Sequence, residues 1–105
     1  MTLNEFQKEL DKFLQNYETP YWSHHENLAR LIEEVGELAR IVNNDYGPKN
    51  KKPGEQLSTF GEEMADIIVS LSCIANMEGI DLEKELDDVM NKIKTRDKER
   101  FPKKK

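Results

Sequence analysis

"LIEEVGEL", residues 31–38, places three glutamates within an otherwise apolar helical pattern, and "GEEMADII", residues 61–68, repeats this arrangement further along the chain. Acidic residues within a hydrophobic helix have two explanations. They form the solvated flank of an amphipathic bundle, or they are carboxylates gathered to hold a divalent cation. The two stretches decide the fold because each lies in a long helical pattern around which the remaining helices must pack.

Length and composition predict one domain spanning residues 1–105, with a basic tail from about residue 101. The chain has 105 residues, of which 36% are hydrophobic and 35% are charged. A chain this short buries only about 60 to 70% of its unfolded surface, so association with further copies would help to stabilise it. The net charge of −5 argues against duplex nucleic acid as a partner, because affinity for a duplex comes mainly from basic groups that neutralise phosphates.

The one cysteine, Cys73, excludes a disulfide within the chain and any cysteine-rich zinc site. It lies within an apolar pattern, which predicts a buried structural thiol. The first residues, "MTLNEFQKEL", lack the basic start and apolar run of a signal peptide. No apolar stretch approaches the roughly 20 residues of a membrane span. These observations predict a cytoplasmic protein without a membrane partner.

The hydrophobic periodicity predicts an all-α four-helix bundle, because no alternation typical of a strand persists. The segment "DYGPKNKKPGEQ" contains two prolines and two glycines and is predicted to be a long loop. The predicted helices run from about Leu3 to Tyr17, from the cap Ser23 to about Asn44, from the cap Thr59, with Glu62 as its capping-box partner, to Met77, and from the cap Asp81 into the basic tail.

The third helix is apolar nearly all round from Met64 to Met77. Three short neighbours with narrow apolar stripes cannot cover such a helix on every side. The sequence therefore predicts that this helix contacts a second copy of the chain and that the protein is a homodimer or homotetramer.

In the second helix, the acids are placed around an apolar stripe of which Val35 marks the middle. At about 100° per residue, Glu34 is expected at the edge of the stripe, with Glu37 one turn away on the same side. Glu33 is expected on the opposite shoulder. A solvated flank explains these residues as well as a binding site does, since glutamate is a good helix former.

In the third helix, a polar or small seam runs through an otherwise apolar segment, formed by Glu63, Asp66, Ser70 and Cys73. A carboxylate pair in such a segment is costly to bury unless a cation or a shared proton neutralises it. If this pair faces the acids of the second helix, each pair of charges repels by about 3 kcal/mol at an effective dielectric constant of 20. The seam therefore favours a divalent metal.

The ligand types point to a hard cation, Mg²⁺ or Mn²⁺, because the donors are all oxygen. His24 and His25 are adjacent and point about 100° apart on a helix, so they cannot clamp one ion. The Glu-x-x-His pairs of di-iron bundles are absent from the sequence. Bound Mg²⁺ usually keeps positions for substrate phosphates, and the lysines at 49–52 together with Lys94, Arg96 and Arg100 are candidate phosphate contacts.

The motif "EEVGEL", followed by "EMAD" with 25 residues between Glu37 and Glu63, resembles the Glu-Glu-x-x-Glu and Glu-x-x-Asp signature of the MazG-like all-α nucleotide pyrophosphohydrolases, relatives of dCTP pyrophosphatase and dimeric dUTPase. "YWSHHENLARLIEEVGELAR", "YGPKNKKP", "ANMEGIDLEKEL" and "KTRDKERF" extend the resemblance to the small bacterial members over about residues 17–101. The resemblance implies Mg²⁺-dependent hydrolysis of a nucleoside triphosphate to the monophosphate and pyrophosphate, on a bundle that assembles as a dimer or tetramer.

The resemblance also implies roles for individual residues. Glu34 and Glu33 would be the catalytic pair, with Glu33 as an outer ligand or as the general base for the attacking water. "DKERFP" places Asp97 where family members tend to have asparagine and Arg100 where they have lysine. The implied metal ligands are Glu34, Glu37, Glu63 and Asp66, and the implied substrate contacts are Trp22, Asn27, Lys52, Lys94, Asp97 and Arg100.

Two other functions remain open on the sequence. One is a helical interaction module that keeps an acidic seam without catalysis, and the other is a metal-dependent hydrolase of a different phosphate compound. The sequence does not choose a base or a sugar. Thermal melting with and without Mg²⁺ separates an ion site, which the ion stabilises, from a solvated acidic face.

Overall fold

The computed structural model describes residues 1–48 and 57–105, which form four α-helices and contain no strand. The prediction of an all-α four-helix fold is therefore confirmed. The predicted loop lies mainly in residues 49–56, outside the described ranges. The helices are α1 (Leu3–Leu14), α2 (His24–Tyr46), α3 (Phe60–Glu78) and α4 (Leu82–Arg96).

Two helix ends differ from the prediction by two or more residues. Helix α1 stops at Leu14 instead of Tyr17, and the chain closes it with a turn in which the Tyr17 amide donates to the Leu14 carbonyl at 3.0 Å. Helix α2 continues past Asn44 to Tyr46, because no residue before Gly47 interrupts the helical hydrogen bonds. The longer α2 leaves a shorter connection to α3.

The start of α2 is held by a complete capping box. The Ser23 side chain accepts a hydrogen bond from the Glu26 amide at 3.2 Å, and the Ser23 amide donates to the Glu26 carboxylate at 3.2 Å. At the start of α3, the Thr59 hydroxyl accepts from the Glu62 amide at 3.1 Å, which is the first half of the predicted box. These caps satisfy backbone donors that have no partner within the helix.

The turn between α3 and α4 follows the prediction. Gly79 ends α3 with φ of 68°, a left-handed conformation that glycine adopts without a steric penalty. Asp81 then caps α4 by accepting hydrogen bonds from the amides of Glu83 and Lys84. The turn sets the direction in which α4 leaves the body of the molecule.

Helix α3 is the centre of the packing, with α2 and α1 against it, and α4 packs on α1. Val35, which marks the middle of the apolar stripe of α2 in the sequence, is 48% exposed. The face that packs on α3 is instead the line of least exposed residues, Asn27, Leu31, Glu34, Leu38 and Ile41. Glu34 therefore lies within the packed face and not at its edge.

Large apolar side chains remain on the outside of α2, α3 and α4. Ile41 and Ala75 are the only buried apolar residues in the described part of the chain. Each of the three helices thus carries an apolar stripe that this chain does not cover. The stripes consist of Ile32, Val35 and Val42 on α2, of Met64, Ile68 and Leu71 on α3, and of Leu86, Val89, Met90 and Ile93 on α4.

Among the described residues, no helix combines the length and the apolar character that crossing a membrane requires.

Replacing Ser23 with alanine should lower the free energy of unfolding by about 1 kcal/mol, because the Glu26 amide loses its acceptor at the start of α2. Urea unfolding followed by circular dichroism measures the change. Thr19→Ala is the matched control, since Thr19 is exposed and outside any helix, and it should change stability by less than about 0.5 kcal/mol. Equal stabilities of the two variants would contradict the capping role.

Candidate active site

The packing of α2 on α3 brings three carboxylates together. Glu63 and Asp66 are one turn apart on α3, and Glu34 faces them from α2. One oxygen from each of the three groups lies within 4.8 Å of the others. Three of the four ligands implied by the resemblance are therefore neighbours in space. We call this group the carboxylate cluster.

Glu63 is the most buried member of the cluster. It is 5% exposed, and its Oε1 accepts a hydrogen bond from the Ser58 hydroxyl. Its Oε2 is buried and has no hydrogen-bond partner among the described protein groups. A buried carboxylate oxygen without a partner is costly, so a hydrogen-bond donor or a cation beside this atom would lower the cost.

The two facing glutamates have pKa values displaced in opposite directions. The hydrogen bond with Glu63, followed by burial and the negative charges of Glu63 and Asp66, raises the pKa of Glu34. Arg30, whose Nε lies 3.9 Å from Glu34, opposes this rise. The Ser58 hydroxyl, followed by the bond with Glu34, lowers the pKa of Glu63. The opposite shifts mean that, of the two carboxyl groups, Glu34 binds a proton more readily than Glu63 does.

The donors of the cluster suit a hard divalent cation. All three are carboxylates, with no imidazole or thiolate among the grouped ligands. Such a set prefers Mg²⁺ or Mn²⁺ to Zn²⁺. A cation held by Glu34, Glu63 and Asp66 would offset the mutual repulsion of the three carboxylates.

Glu37 and Glu33 lie outside the cluster. The side chain of Glu37 is 50% exposed, and one of its oxygens lies 3.9 Å from Arg40. Glu33 is exposed and lines a separate shallow depression with Trp22, Glu26 and Arg30. The roles of Glu37 as a ligand and of Glu33 as a base remain predictions.

A cavity of about 240 Å³ adjoins the cluster between α1, α2 and α3. Arg30 connects the two, since it lines the cavity and also approaches Glu34. Ser70, one helical turn beyond Asp66, lies in the opposite wall. The remaining lining residues are Leu10, Leu14, Pro20, Tyr21, Trp22, Asn27, Val69 and Cys73.

Trp22 and Asn27, both predicted to contact the substrate, lie together in the wall of this cavity. Trp22 is 48% exposed, and the Arg30 guanidinium lies 5.5 Å from the centre of its ring. Asn27 is buried, and its side-chain amide donates to the carbonyls of Trp22 at 3.1 Å and Ser23 at 3.2 Å. Asn27 therefore holds the segment that carries Trp22.

Tyr21 also lines the cavity, and its hydroxyl bonds to side chains of α1 and α3. Its hydroxyl donates to Asp11 Oδ1 at 2.5 Å and accepts from Asn76 Nδ2 at 3.0 Å. Burial, followed by the bond to the Asp11 carboxylate, raises the pKa of Tyr21 to about 12. The sequence predicts a buried Cys73, whereas this residue is half-buried and lines the cavity. Burial raises the pKa of its thiol.

The predicted phosphate contacts at the end of α4 lie on the surface. Lys94 and Arg100 are exposed. Asp97 bonds to Arg96 at 3.0 Å and approaches Arg100 at 3.4 Å, so it pairs with two arginines. The structure does not group these residues with the carboxylate cluster, and their substrate contacts remain predictions. Lys52 lies outside the described residues.

Arg30 and Ser58 are not among the residues predicted from the sequence, although both contact the cluster. The spacing offers a signal for Arg30, because it precedes Glu34 by four residues and so shares its helix face. Ser58 gives no such signal, since it lies before α3 and its contact depends on how the preceding segment turns.

Residues 22–101 match the MazG nucleotide pyrophosphohydrolase domain. The chain belongs to the MazG nucleotide pyrophosphohydrolase family. It is 43% identical over 103 residues to YpjD of Bacillus subtilis, a match that covers 98% of this chain and 93% of YpjD. It is 33% identical over 92 residues to YvdC of the same organism, covering 79% of this chain and 84% of YvdC.

Two solved structures resemble this fold. The crystal structure of YpjD from B. subtilis superposes with a TM-score of 0.76 at 41% identity and covers 88% of this chain and 94% of its own. That of the Bacillus-conserved MazG protein, a nucleotide pyrophosphohydrolase, gives a TM-score of 0.77 at 40% identity and covers 93% and 95%. The family resemblance and the prediction of an enzyme are confirmed.

As a MazG family member, the chain is a nucleotide pyrophosphohydrolase, a class of hydrolases generally dependent on a divalent metal. The carboxylate cluster supplies a group of acidic ligands of the kind that such an ion requires.

The pKa of Tyr21 predicts a distinct alkaline titration. Because the folded pKa, about 12, lies above the ordinary value of 10.0, the neutral hydroxyl stabilises the fold fully below pH 10, and this contribution is lost as the pH rises from 10 through 12. Ultraviolet absorbance of tyrosinate should show one of the three tyrosines titrating near pH 12. In Tyr21→Phe this step should be absent; its persistence would refute the assignment.

Proposed function

We propose that the protein is a Mg²⁺-dependent nucleoside triphosphate pyrophosphohydrolase, in which Mn²⁺ can substitute for Mg²⁺. The observation that carries this proposal is the carboxylate cluster, in which a buried Glu63 oxygen has no hydrogen-bond donor beside it among the described residues. Family membership supplies the reaction class. The same proposal places the enzyme in the cytoplasm, where its substrates are found.

Glu34, Glu63 and Asp66 would hold the ion, with Glu37 as a fourth ligand if its side chain turns toward them. When bound, Mg²⁺ would neutralise triphosphate charge and lower the pKa of the attacking water. The protein contributes rigid placement: α2 and α3 hold the carboxylates, and Ser58 orients Glu63. Glu33 remains our candidate for the base that accepts the proton of the water.

The adjoining cavity is the proposed site of the nucleoside. Its volume of about 240 Å³ corresponds to about eight water molecules, which leaves room for a nucleobase. Its walls are mostly apolar, and Trp22 can stack on a base. Arg30 lies between the cavity and the cluster, where the α phosphate would be, and offers a charge-assisted hydrogen bond to it.

In the proposed reaction, water attacks the α phosphorus while the bond to the oxygen bridging the α and β phosphorus atoms breaks. The products are the nucleoside monophosphate and pyrophosphate, and the water proton passes to the base. Positioning and charge provide most of the catalysis in such reactions. Lys94 and Arg100, together with Lys52, are the proposed contacts of the departing pyrophosphate, and Asp97 would orient Arg100.

We also propose that the working form is a homodimer or homotetramer. The support is the set of uncovered apolar stripes on three helices, which in water would be costly to leave exposed. A second copy is the natural cover, because identical stripes can pack on each other across a two-fold axis.

The reaction is tested with a panel of standard and modified nucleoside triphosphates and Mg²⁺, measuring monophosphate and pyrophosphate. Glu34→Gln and Asp66→Asn should each lower kcat at least about a hundredfold, because each removes a charged ligand of the ion. Asp87→Asn, an exposed change of the same kind on α4, should retain activity. Full turnover in both cluster variants would refute the assigned roles.

Melting separates the remaining alternatives. Mg²⁺ should raise the Tm of the native protein by several degrees and leave that of Asp66→Asn nearly unchanged. A non-catalytic interaction module with a solvated acidic face would show no such response and no pyrophosphate. A hydrolase of another phosphate compound would respond to Mg²⁺ and leave every nucleoside triphosphate intact.

The oligomer is tested by analytical ultracentrifugation. The measured molecular mass of the native protein should be two or four times the 12.3 kDa of one chain. Ile32→Asp, which places a charge on the α2 stripe, should shift the population toward the monomer. Asn91→Asp, which adds the same charge at an exposed position of α4, is the control and should not. A monomeric native protein at micromolar concentration would contradict the proposal.

A further inference from the structure

We propose that Tyr21 is a positioning residue: its hydroxyl, bonded to both Asp11 of α1 and Asn76 of α3, holds the aromatic wall of the cavity in the place where the nucleoside binds. The identity of the ligand rests on the proposed function. The anchoring of the wall by Tyr21 does not depend on the proposed function, since it follows from hydrogen bonds within the protein.

The wall is a segment between helices that needs anchors. Residues 15–23 connect α1 to α2, and three of them, Pro20, Tyr21 and Trp22, line the cavity. Asn27 of α2 fixes one side of this segment through the Trp22 carbonyl at 3.1 Å. The Tyr21 hydroxyl fixes the other side, through α1 and α3.

The partner of Tyr21 on α3 is itself held in one orientation. Asn76 donates to the Gln7 carbonyl at 3.0 Å and accepts from Gln7 Nε2 at 3.1 Å. Gln7 is 5% exposed. Its side-chain Nε2 also donates to the Ile80 carbonyl at 2.8 Å, and its Oε1 accepts from the Leu82 backbone amide at 2.9 Å. Rotating Asn76 would break several bonds at once, so it presents its donor to Tyr21 in a defined direction.

The anchor is separate from the proposed chemistry. Neither Asp11 nor Asn76 lines the cavity. Both line a separate depression, together with residues of the turn between α3 and α4. The carboxylate cluster also lies outside the lining of the cavity. Removing the hydroxyl should therefore loosen the wall and weaken nucleoside binding without moving the carboxylates.

Tyr21→Phe tests this directly, because it keeps the ring and deletes one oxygen. For the best-hydrolysed triphosphate of the panel, KM should rise about five- to tenfold, the effect of losing a part-buried hydrogen bond, while kcat stays within about twofold. Tyr17→Phe is the matched control, since Tyr17 is exposed and does not line the cavity, and it should leave both constants unchanged.

A second measurement needs neither substrate nor metal. Cys73 is the only cysteine and lines the cavity, so its rate of alkylation by iodoacetamide reports how open the wall is. The rate in Tyr21→Phe should exceed the native rate several-fold, and Tyr17→Phe should match the native protein. Equal rates in all three proteins overturn the proposal, whatever the enzyme assay gives.

Asp11 provides the rescue experiment. Asp11→Ala removes the acceptor and should raise both the alkylation rate and KM as Tyr21→Phe does. Asp11→Asn keeps an oxygen that accepts from the Tyr21 hydroxyl and should behave as the native protein does. Faster alkylation with unchanged KM would overturn the role in nucleoside binding, and a fall in kcat alone would do the same. If no nucleoside triphosphate of the panel is hydrolysed, the proposed function is refuted. The alkylation rates then still test whether the Tyr21 hydroxyl anchors the cavity wall.

Discussion

The interface between α2 and α3 has to accommodate carboxylates that repel one another. Glu34 lies within the face of α2 that packs on α3, and Glu63 is almost fully buried beneath it. Apolar residues at these positions would pack with less electrostatic cost. The helices nevertheless meet here, and the Ser58 hydroxyl donates a hydrogen bond to Glu63. The packing of α2 on α3 thus gathers the acidic side chains that a cation site would need.

The interior of the chain is correspondingly polar. Gln7, Asn27 and Glu63 are buried, as are two serines, whereas Ile41 and Ala75 are the only apolar residues so placed in the described ranges. Helix caps and side-chain hydrogen bonds therefore carry much of the specificity within one chain. The large apolar side chains face outward on three helices. In the proposed dimer or tetramer, a second copy would bury these side chains, and the interior of each chain of 105 residues would keep its polar groups.

Charge and apolar surface are separated along the groove between the helices. The carboxylates occupy one end, and the cavity lined by Trp22 and Tyr21 occupies the other. Arg30 stands between them, close to Glu34 and over the Trp22 ring. With a cation bound by the carboxylates, this division would suit a ligand that has an anionic part and a flat, less polar part, and a nucleotide has both. Because the aromatic segment lies between helices, its position depends on the anchors made by Asn27 and Tyr21.

The sequence by itself determined the four helices, most of their caps and the pairing of Glu63 with Asp66, because periodicity, capping and i, i+3 spacing involve only residues a few positions apart. It did not determine which face of α2 packs inside the chain. Apolar residues lie around Val35 and also on the line through Glu34, and in the structure the line through Glu34 packs on α3 while Val35 is exposed.

Only the tertiary structure decided the contacts of Arg30 and Ser58 and the bonds that hold Tyr21 to Asn76, 55 residues away. Such contacts depend on how whole helices are placed relative to one another. Local sequence rules fix the direction of a side chain around its own helix, and the partner that it meets is set by the packing of the others.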